Sequence, residues 1–270
     1  MMTTAENLTL HRYQRTNQSY TEDLGDGVTL TLMLIPAGEF LMGAPEDEPD
    51  SAEDERPQHL VKVPEFLMGR YPVTQAQWRV VAGYEQQQLE LNSDPSSFKG
   101  DDQPVERVSW HQAVEFCHRL SERTRKNYRL PSEAQWEYAC RAETTTAYHF
   151  GPQLTSELAN YGQEVNQTTA GGNYPPNRWG FHDVHGNVWE WCADYWHDTY
   201  NDAPTNDNAW VEDGDSDMRV LRGGSWANVP RNCRSAYRGR FNPAYDGYVV
   251  GFRVVCTASR KRATAPRSLS

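Results

Sequence analysis

The sequence predicts a loop-rich α+β domain, and three observations carry that prediction. Nine Trp, 14 Tyr, 19 Gly and 16 Pro in 270 residues favour a fold of many turns in which indole N–H groups tie loops to the body. Val28 to Ile35 alternates β-branched and apolar residues as a half-buried strand does. Three segments open on a Ser or Thr with Gln three residues later: Thr74 to Gln77, Ser109 to Gln112 and Ser132 to Gln135. That spacing marks helix starts, because the cap hydroxyl and the Gln side chain satisfy each other's backbone N–H groups. With 37% hydrophobic residues the chain can fill one large core or two small ones and reads as one domain with a short leader, and no self-similar period marks a repeat array.

Taken in order, residues 1–27 are polar and aperiodic and read as a leader. Val28 to Ile35 stops at Pro36 and, with the short run Glu39 to Met42, reads as a hairpin. Pro45 to Arg56 (PEDEPDSAEDER) is acidic without periodicity and reads as a solvated loop. In the second helix Ala113, Val114, Cys117 and Leu120 fall on one inward face, leaving Glu115, His118 and Arg119 outward. Trp136, Ala139 and Cys140 line the third helix in the same way. Residues 144–180 read as loop, Asn187 to Trp191 returns to alternation, and 194–217 form a second acidic loop. The last quarter holds a frame, Arg219 to Trp226 (RVLRGGSW), Cys233 to Arg238 (CRSAYR) and Gly251 to Val255 (GFRVV), with Arg222 to Trp226 and Gly251 to Val255 expected in strands. Between these anchors, Ala227 to Val229 and Gly239 to Val249 follow neither the helical nor the strand period and read as exposed loops. Residues 257–270 form a basic tail.

The formal charge of −11 argues against a nucleic-acid partner, which needs a clustered basic face. No N-terminal apolar segment and no run of membrane-spanning length occurs, so the expectation is a cytoplasmic protein with no membrane partner. Five cysteines with no CxxC pair read as reduced thiols packed as small hydrophobes, and the spacing disfavours structural zinc.

Pro72 to Trp78 (PVTQAQW), Pro104 to Trp110 (PVERVSW), Arg129 to Trp136 (RLPSEAQW), Gly186 to Trp191 (GNVWEW) and Arg222 to Trp226 (RGGSW) occur in this order. With them, residues 28–256 resemble the formylglycine-generating, or sulfatase-modifying factor, domain. The resemblance implies an elaborated C-type-lectin-type fold. It also implies, for an active oxidase of protein cysteine, copper held by two thiolates at positions that are Asn228 and Cys233 here. One thiolate and one amide do not make a linear bis-thiolate site for Cu(I). The expectation is therefore no copper, no catalytic residue and no enzyme, with Cys233 a buried apolar side chain. A second enzymatic branch, the ergothioneine-type sulfoxide synthases, implies iron on an HxxxHxE helix that the sequence lacks. The HxxH of His182 and His185 falls in a loop, where imidazoles commonly brace turns.

Calcium is also implied by the resemblance, through Asp183, the carbonyls of Gly186 and Val188, and Glu190. The residues alone also allow Glu190 to alternate outward on a strand and Asp183 to cap a turn, with calcium the preferred reading. A second family site would start at Asn160 and the Tyr161 carbonyl, but the loop Gly162 to Gly172 that would carry its acid is short.

The closing frame is similar to that of variable proteins of diversity-generating retroelements, whose substituted residues lie on a ligand-binding face. Carried over, these positions are Ala227, Asn228, Val229, Gly239, Arg240, Phe241, Asn242, Tyr245, Gly247, Tyr248 and Val249, and none is Lys, Glu, Gln, Met or Trp. The function so implied is a non-enzymatic binder of a protein or other macromolecule. Apart from any resemblance, Phe241, Tyr245 and Tyr248 with Arg240 and Asn228 have the composition of a binding hot spot. The alternatives are a formylglycine-generating-type oxidase with a changed site and a structural accessory domain.

Overall fold

The computed structural model describes residues 14–257, so most of the expected tail and the first half of the expected leader lie outside the described residues. The strands and helices run β1 (Ser19–Gly25), β2 (Val28–Ile35), β3 (Gly38–Met42), β4 (His59–Val63), β5 (Phe66–Gly69), α1 (Gln75–Ala82), α2 (Trp110–Thr124), β6 (Tyr128–Arg129), α3 (Glu133–Arg141), β7 (Trp189–Trp196), β8 (Asp215–Arg222), β9 (Arg238–Phe241), β10 (Val250–Gly251) and β11 (Val255–Thr257). Few helices, short strands and long connections make this the mixed α and β fold that the composition predicts.

All three expected helix starts carry the reciprocal cap: Thr74, Ser109 and Ser132 accept from the N–H groups of Gln77, Gln112 and Gln135, whose side chains accept in return. The first hairpin differs from expectation. Its turn is Asp26-Gly27, both at positive φ (53° and 76°), a two-residue loop that matches strand twist. It joins β1 to β2, so part of the expected leader is a strand of the first sheet, with Leu24 in the core. Beyond Pro36 the chain changes sheet, and β3 pairs with β4 instead.

Two larger sheets carry the rest, in the orders β1-β2-β5-β11-β6 and β10-β7-β8-β9. The last frame strand, β11, lies between β5 and β6, and β10 runs parallel to β7. One core cluster centres on Trp78, Phe116 and Phe252, with ring centroids 5.2 to 6.1 Å apart. A second packs Trp136, Phe181, Cys192 and Val220 under α3.

Two outward readings are corrected. Glu115 and Arg119 are buried, paired at 2.7 Å one helical turn apart. Together they hold the 82–91 loop: Glu115 accepts the N–H groups of Gln87 and Gln88, and Arg119 donates to the carbonyls of Ala82, Tyr84 and Leu89. The acidic run 45–56 is not wholly solvated either, since Glu48 and Glu55 are buried and pair with Arg234.

All five cysteines are free and buried. Burial pushes the thiols of Cys140 and Cys233 up to about 12, so their thiolate fraction at neutral pH is negligible. Ellman's reagent is expected to leave the folded protein untouched and to titrate all five thiols in denaturant. A fast-reacting thiol in the native state contradicts this packing. Among the described residues no helix is long and apolar enough to cross a membrane.

Candidate functional site

The C-terminal frame is fixed by four of its arginines, Arg222, Arg234, Arg238 and Arg253, which turn inward. Arg222 reaches Glu137 and the carbonyls of Ser235, Ala236 and Tyr237. Arg238 forks onto Glu133 at 2.7 and 3.1 Å, Arg234 forks onto Glu55 at 2.6 and 2.7 Å, and Arg253 forks onto Glu190 at 2.6 Å through both oxygens. Burial would raise the Glu133 carboxyl, but Arg238 and Arg222 beside it hold it below the usual range. Bidentate pairs of this kind set both position and orientation. Because Glu133 and Glu137 lie one turn apart on α3, they clamp β8 and the segment 233–238 to the helix. Gly224 completes the turn at φ 72°, and a Cβ there would lie 2.5 Å from the Cys233 sulfur, so no larger residue fits.

With the frame buried, the inserts face out. None of the eleven carried-over residues is buried, whereas residues 222–226 and 250–256 all are. Val229, Tyr245 and Tyr248 are 49%, 39% and 48% exposed. The surface is continuous: Phe241 lies against Tyr245 with centroids 4.3 Å apart, and Tyr248 lies over Trp226 at 5.8 Å. A groove of about 410 Å³ lined by Trp189, Leu221, Asn228, Tyr237, Gly239 and Phe241 joins the two inserts.

Three details differ from the sequence reading. Gly239 to Phe241 belong to β9 rather than to a loop, while residues 223–226 and 252–254 of the frame are not strand. Asn228 turns its amide oxygen inward, accepting from the Ser225 N–H at 3.1 Å and its hydroxyl at 2.6 Å. At Gly239 a Cβ would sit 3.1 Å from the Trp189 ring, so that position accepts change only if Trp189 shifts. Phe98, Trp189 and Tyr237 were not legible as part of this face. Phe98 packs on both Trp226 and Tyr248, and its N–H is held by Glu106 at 2.9 Å, a buried acid pushed up to about 7 chiefly by burial.

The loop into β7 holds the residues expected at calcium. Asp183 is buried at φ 58°; one of its oxygens accepts the Gly172 N–H at 3.0 Å, and burial pushes its carboxyl up to about 6. Among the described residues nothing donates to the carbonyls of Gly186 or Val188. Oxygen donors of these kinds are the ligands that a hard cation takes. Glu190 has another duty: besides Arg253 it accepts the Trp136 indole N–H at 2.7 Å, so its charge is already matched. Neither outward alternation nor a dedicated metal ligand describes it. Nearby, the buried Asn160 Oδ1 has no partner. His182 and His185 brace loops, as expected for their place in the sequence. Each has Nδ1 against a carbonyl, of Tyr174 at 2.8 Å and of Cys233 at 2.7 Å, and burial lowers both to about 4. Cys233 is sealed beneath Gly224 and Asn228 is an amide, so no paired thiolate site for copper is assembled here.

Residues 25–258 match the sulfatase-modifying factor enzyme 1-like domain. The chain belongs to that family. Among relatives, it is 30% identical over 270 residues to hercynine oxygenase of Mycolicibacterium smegmatis, covering 84% of this chain and 61% of that protein. It is 28% identical to the formylglycine-generating enzyme of Mus musculus, covering 84% and 75%. A serine/threonine-protein kinase, pkn1 of Chlamydia caviae, is 30% identical over 82% of this chain, which spans only 37% of the kinase. Of solved structures, PvdO from Pseudomonas aeruginosa superposes with TM-score 0.79 at 32% identity, covering 88% of this chain and 98% of the other. Treponema denticola variable protein 1 gives 0.77 at 27%, covering 90% and 100%.

The sulfatase-modifying factor domain thus has the C-type-lectin-type architecture that the resemblance implies. One expectation falls: the missing copper ligand does not place this chain outside the enzymes, because relatives as similar as hercynine oxygenase are named as enzymes. Asn228 speaks only to the two-thiolate copper route, and family members are not confined to one chemistry.

Proposed function

We propose that the chain presents residues 227–229 and 239–249 as a variable surface that binds a protein or other macromolecule. The observation that carries this reading is the partition of the C-terminal segment into inward arginines held by buried glutamates and outward residues of which none is buried, Phe241 and Val249 alone resting on the edge of the core. Core positions respond to single methylenes with kilocalorie penalties, whereas surface substitutions rarely exceed about 0.5 kcal/mol. A segment built this way tolerates rewriting of its outward positions alone. The likeness to Treponema denticola variable protein 1 across that whole chain supports it. The aromatic groove supplies rigid contact area at low entropic cost.

Sequencing the DNA for residues 222–255 and its surroundings in independent isolates tests this. Differences are expected at the eleven outward codons, with a near-copy of the segment differing at adenines and a neighbouring reverse-transcriptase gene. Variation spread equally over the frame overturns it. In the protein, Tyr245→Ala and Tyr248→Ala are expected to shift stability by less than about 1 kcal/mol, read by denaturant unfolding; a larger loss shows that these rings are structural.

Calcium at Asp183 and the Gly186 and Val188 carbonyls, with Glu190 shared with Arg253, is the companion proposal, supported by the buried acid and the two unused carbonyls. A catalytic role is the second reading, favoured by the names of the relatives. It requires groups other than a thiolate pair at positions 228 and 233.

A further inference from the structure

A second cleft, of about 1080 Å³, lies between residues 14–19, Arg70 and the loop 172–182. It shares no lining residue with the C-terminal groove. In a chain of net charge −11, its walls carry Arg15, Arg70, Arg141 and Arg178 and, among the described residues, no Asp or Glu.

These arginines differ in what already occupies them. Arg141 is committed inward, to Glu137 at 2.8 Å and to the carbonyls of Gly43 and Thr146. Arg178 pairs with Glu143 at the rim, leaving its buried Nε without a partner. Arg70 is half-buried, and no carboxylate lies within ion-pair distance of it among the described residues. Its Nη2 meets His182 Nε2 at 3.2 Å, its guanidinium lies over the Tyr71 ring at 5.2 Å, and its buried Nε has no partner. His182 cannot neutralise it, since Nδ1 faces the Tyr174 carbonyl at 2.8 Å and Nε2 is then a neutral acceptor. A partly desolvated cation without a counter-ion, with an unused donor beside aromatic walls, is the arrangement that an oxyanion completes.

We infer that this cleft binds a small oxyanion, carboxylate or phosphate, carried on a flat apolar body. The anion sits on Arg70, with Arg178 also in the lining, and the body lies along Tyr174, Phe150 and His149 of the same cleft. The site is independent of the C-terminal face and stands or falls apart from it.

Benzoate, phenyl phosphate, inorganic phosphate and phenol, titrated into the full chain at low ionic strength and followed by calorimetry and amide chemical shifts, test this. Benzoate and phenyl phosphate are expected to bind, each more tightly than its partial counterpart, phenol or inorganic phosphate, and with affinity falling as salt rises. Their relative affinity decides which headgroup is preferred. Arg70→Gln is expected to weaken both by at least about tenfold, because a charge-assisted contact is lost, while exposed Arg79→Gln changes nothing. Arg178→Gln, at the rim, gives a smaller loss and serves if the Arg70 variant does not fold. No binding of either aromatic anion, equal binding of phenol, or unchanged affinity in both cleft variants overturns the inference.

Discussion

Arg253→Ala is expected to destabilise the protein by about 3–5 kcal/mol, the cost of leaving a buried charge without its partner. Glu190 is completely buried, and both of its oxygens take Arg253 at 2.6 Å. The same guanidinium donates to the carbonyls of Gly69 and His182. Its removal therefore strips β7, the end of β5 and the 182–188 loop of one common anchor. The loss is a large share of the 5–15 kcal/mol that holds a typical domain. Denaturant unfolding reads it directly. Arg253→Met with Glu190→Gln should recover part of the loss, because no uncompensated charge then remains and the Gln oxygen still accepts from Trp136. A loss below about 1 kcal/mol for the single variant means that water reaches the pair, and the partition between fixed frame and free inserts loses its basis.

That network marks the limit of what was legible in the chain. The helix starts were, because a cap needs only residues three apart: Ser109 and Gln112 satisfy each other locally. The outward inserts were also legible, since aperiodic segments between apolar anchors have no buried face to form. Arg234 and Glu55 were not, because they stand 179 positions apart, and a run such as 45–56 looks equally solvated whether or not a distant arginine claims two of its acids. Glu115 and Arg119 misled for a related reason: a 3.6-residue period sorts polar from apolar, and a paired polar couple can be buried under a loop. At the face itself, Phe98 carried no signal. Its place beside Tyr248 is set by Glu106, eight positions on in an aperiodic stretch, and by the packing of Trp226, which no local window contains.

Removing calcium is expected to lower the melting temperature, and Asp183 gives the effect a direction in pH. Burial raises its carboxyl from the ordinary 3.8 to about 6, so the folded state prefers the protonated acid. A group raised in the fold stabilises fully below its unfolded value and loses that contribution as pH climbs through its folded value. Without calcium, stability from this residue is thus lost between about pH 4 and pH 6, by roughly 3 kcal/mol as an upper bound. A cation at the Gly186 and Val188 carbonyls reverses the balance by favouring the ionised form. At a hundredfold excess over Kd it adds about 2.7 kcal/mol. Asp183→Asn separates this from other buried acids, since Asp194 is likewise raised to about 7. Stripped of calcium with EGTA, the variant should be more stable than the parent at pH 8 and no different near pH 4; with calcium, only the parent should gain. A parent melt that EGTA leaves unchanged at pH 8 removes calcium from this loop and leaves Asp183 as a buried acid whose raised carboxyl alone sets the pH dependence.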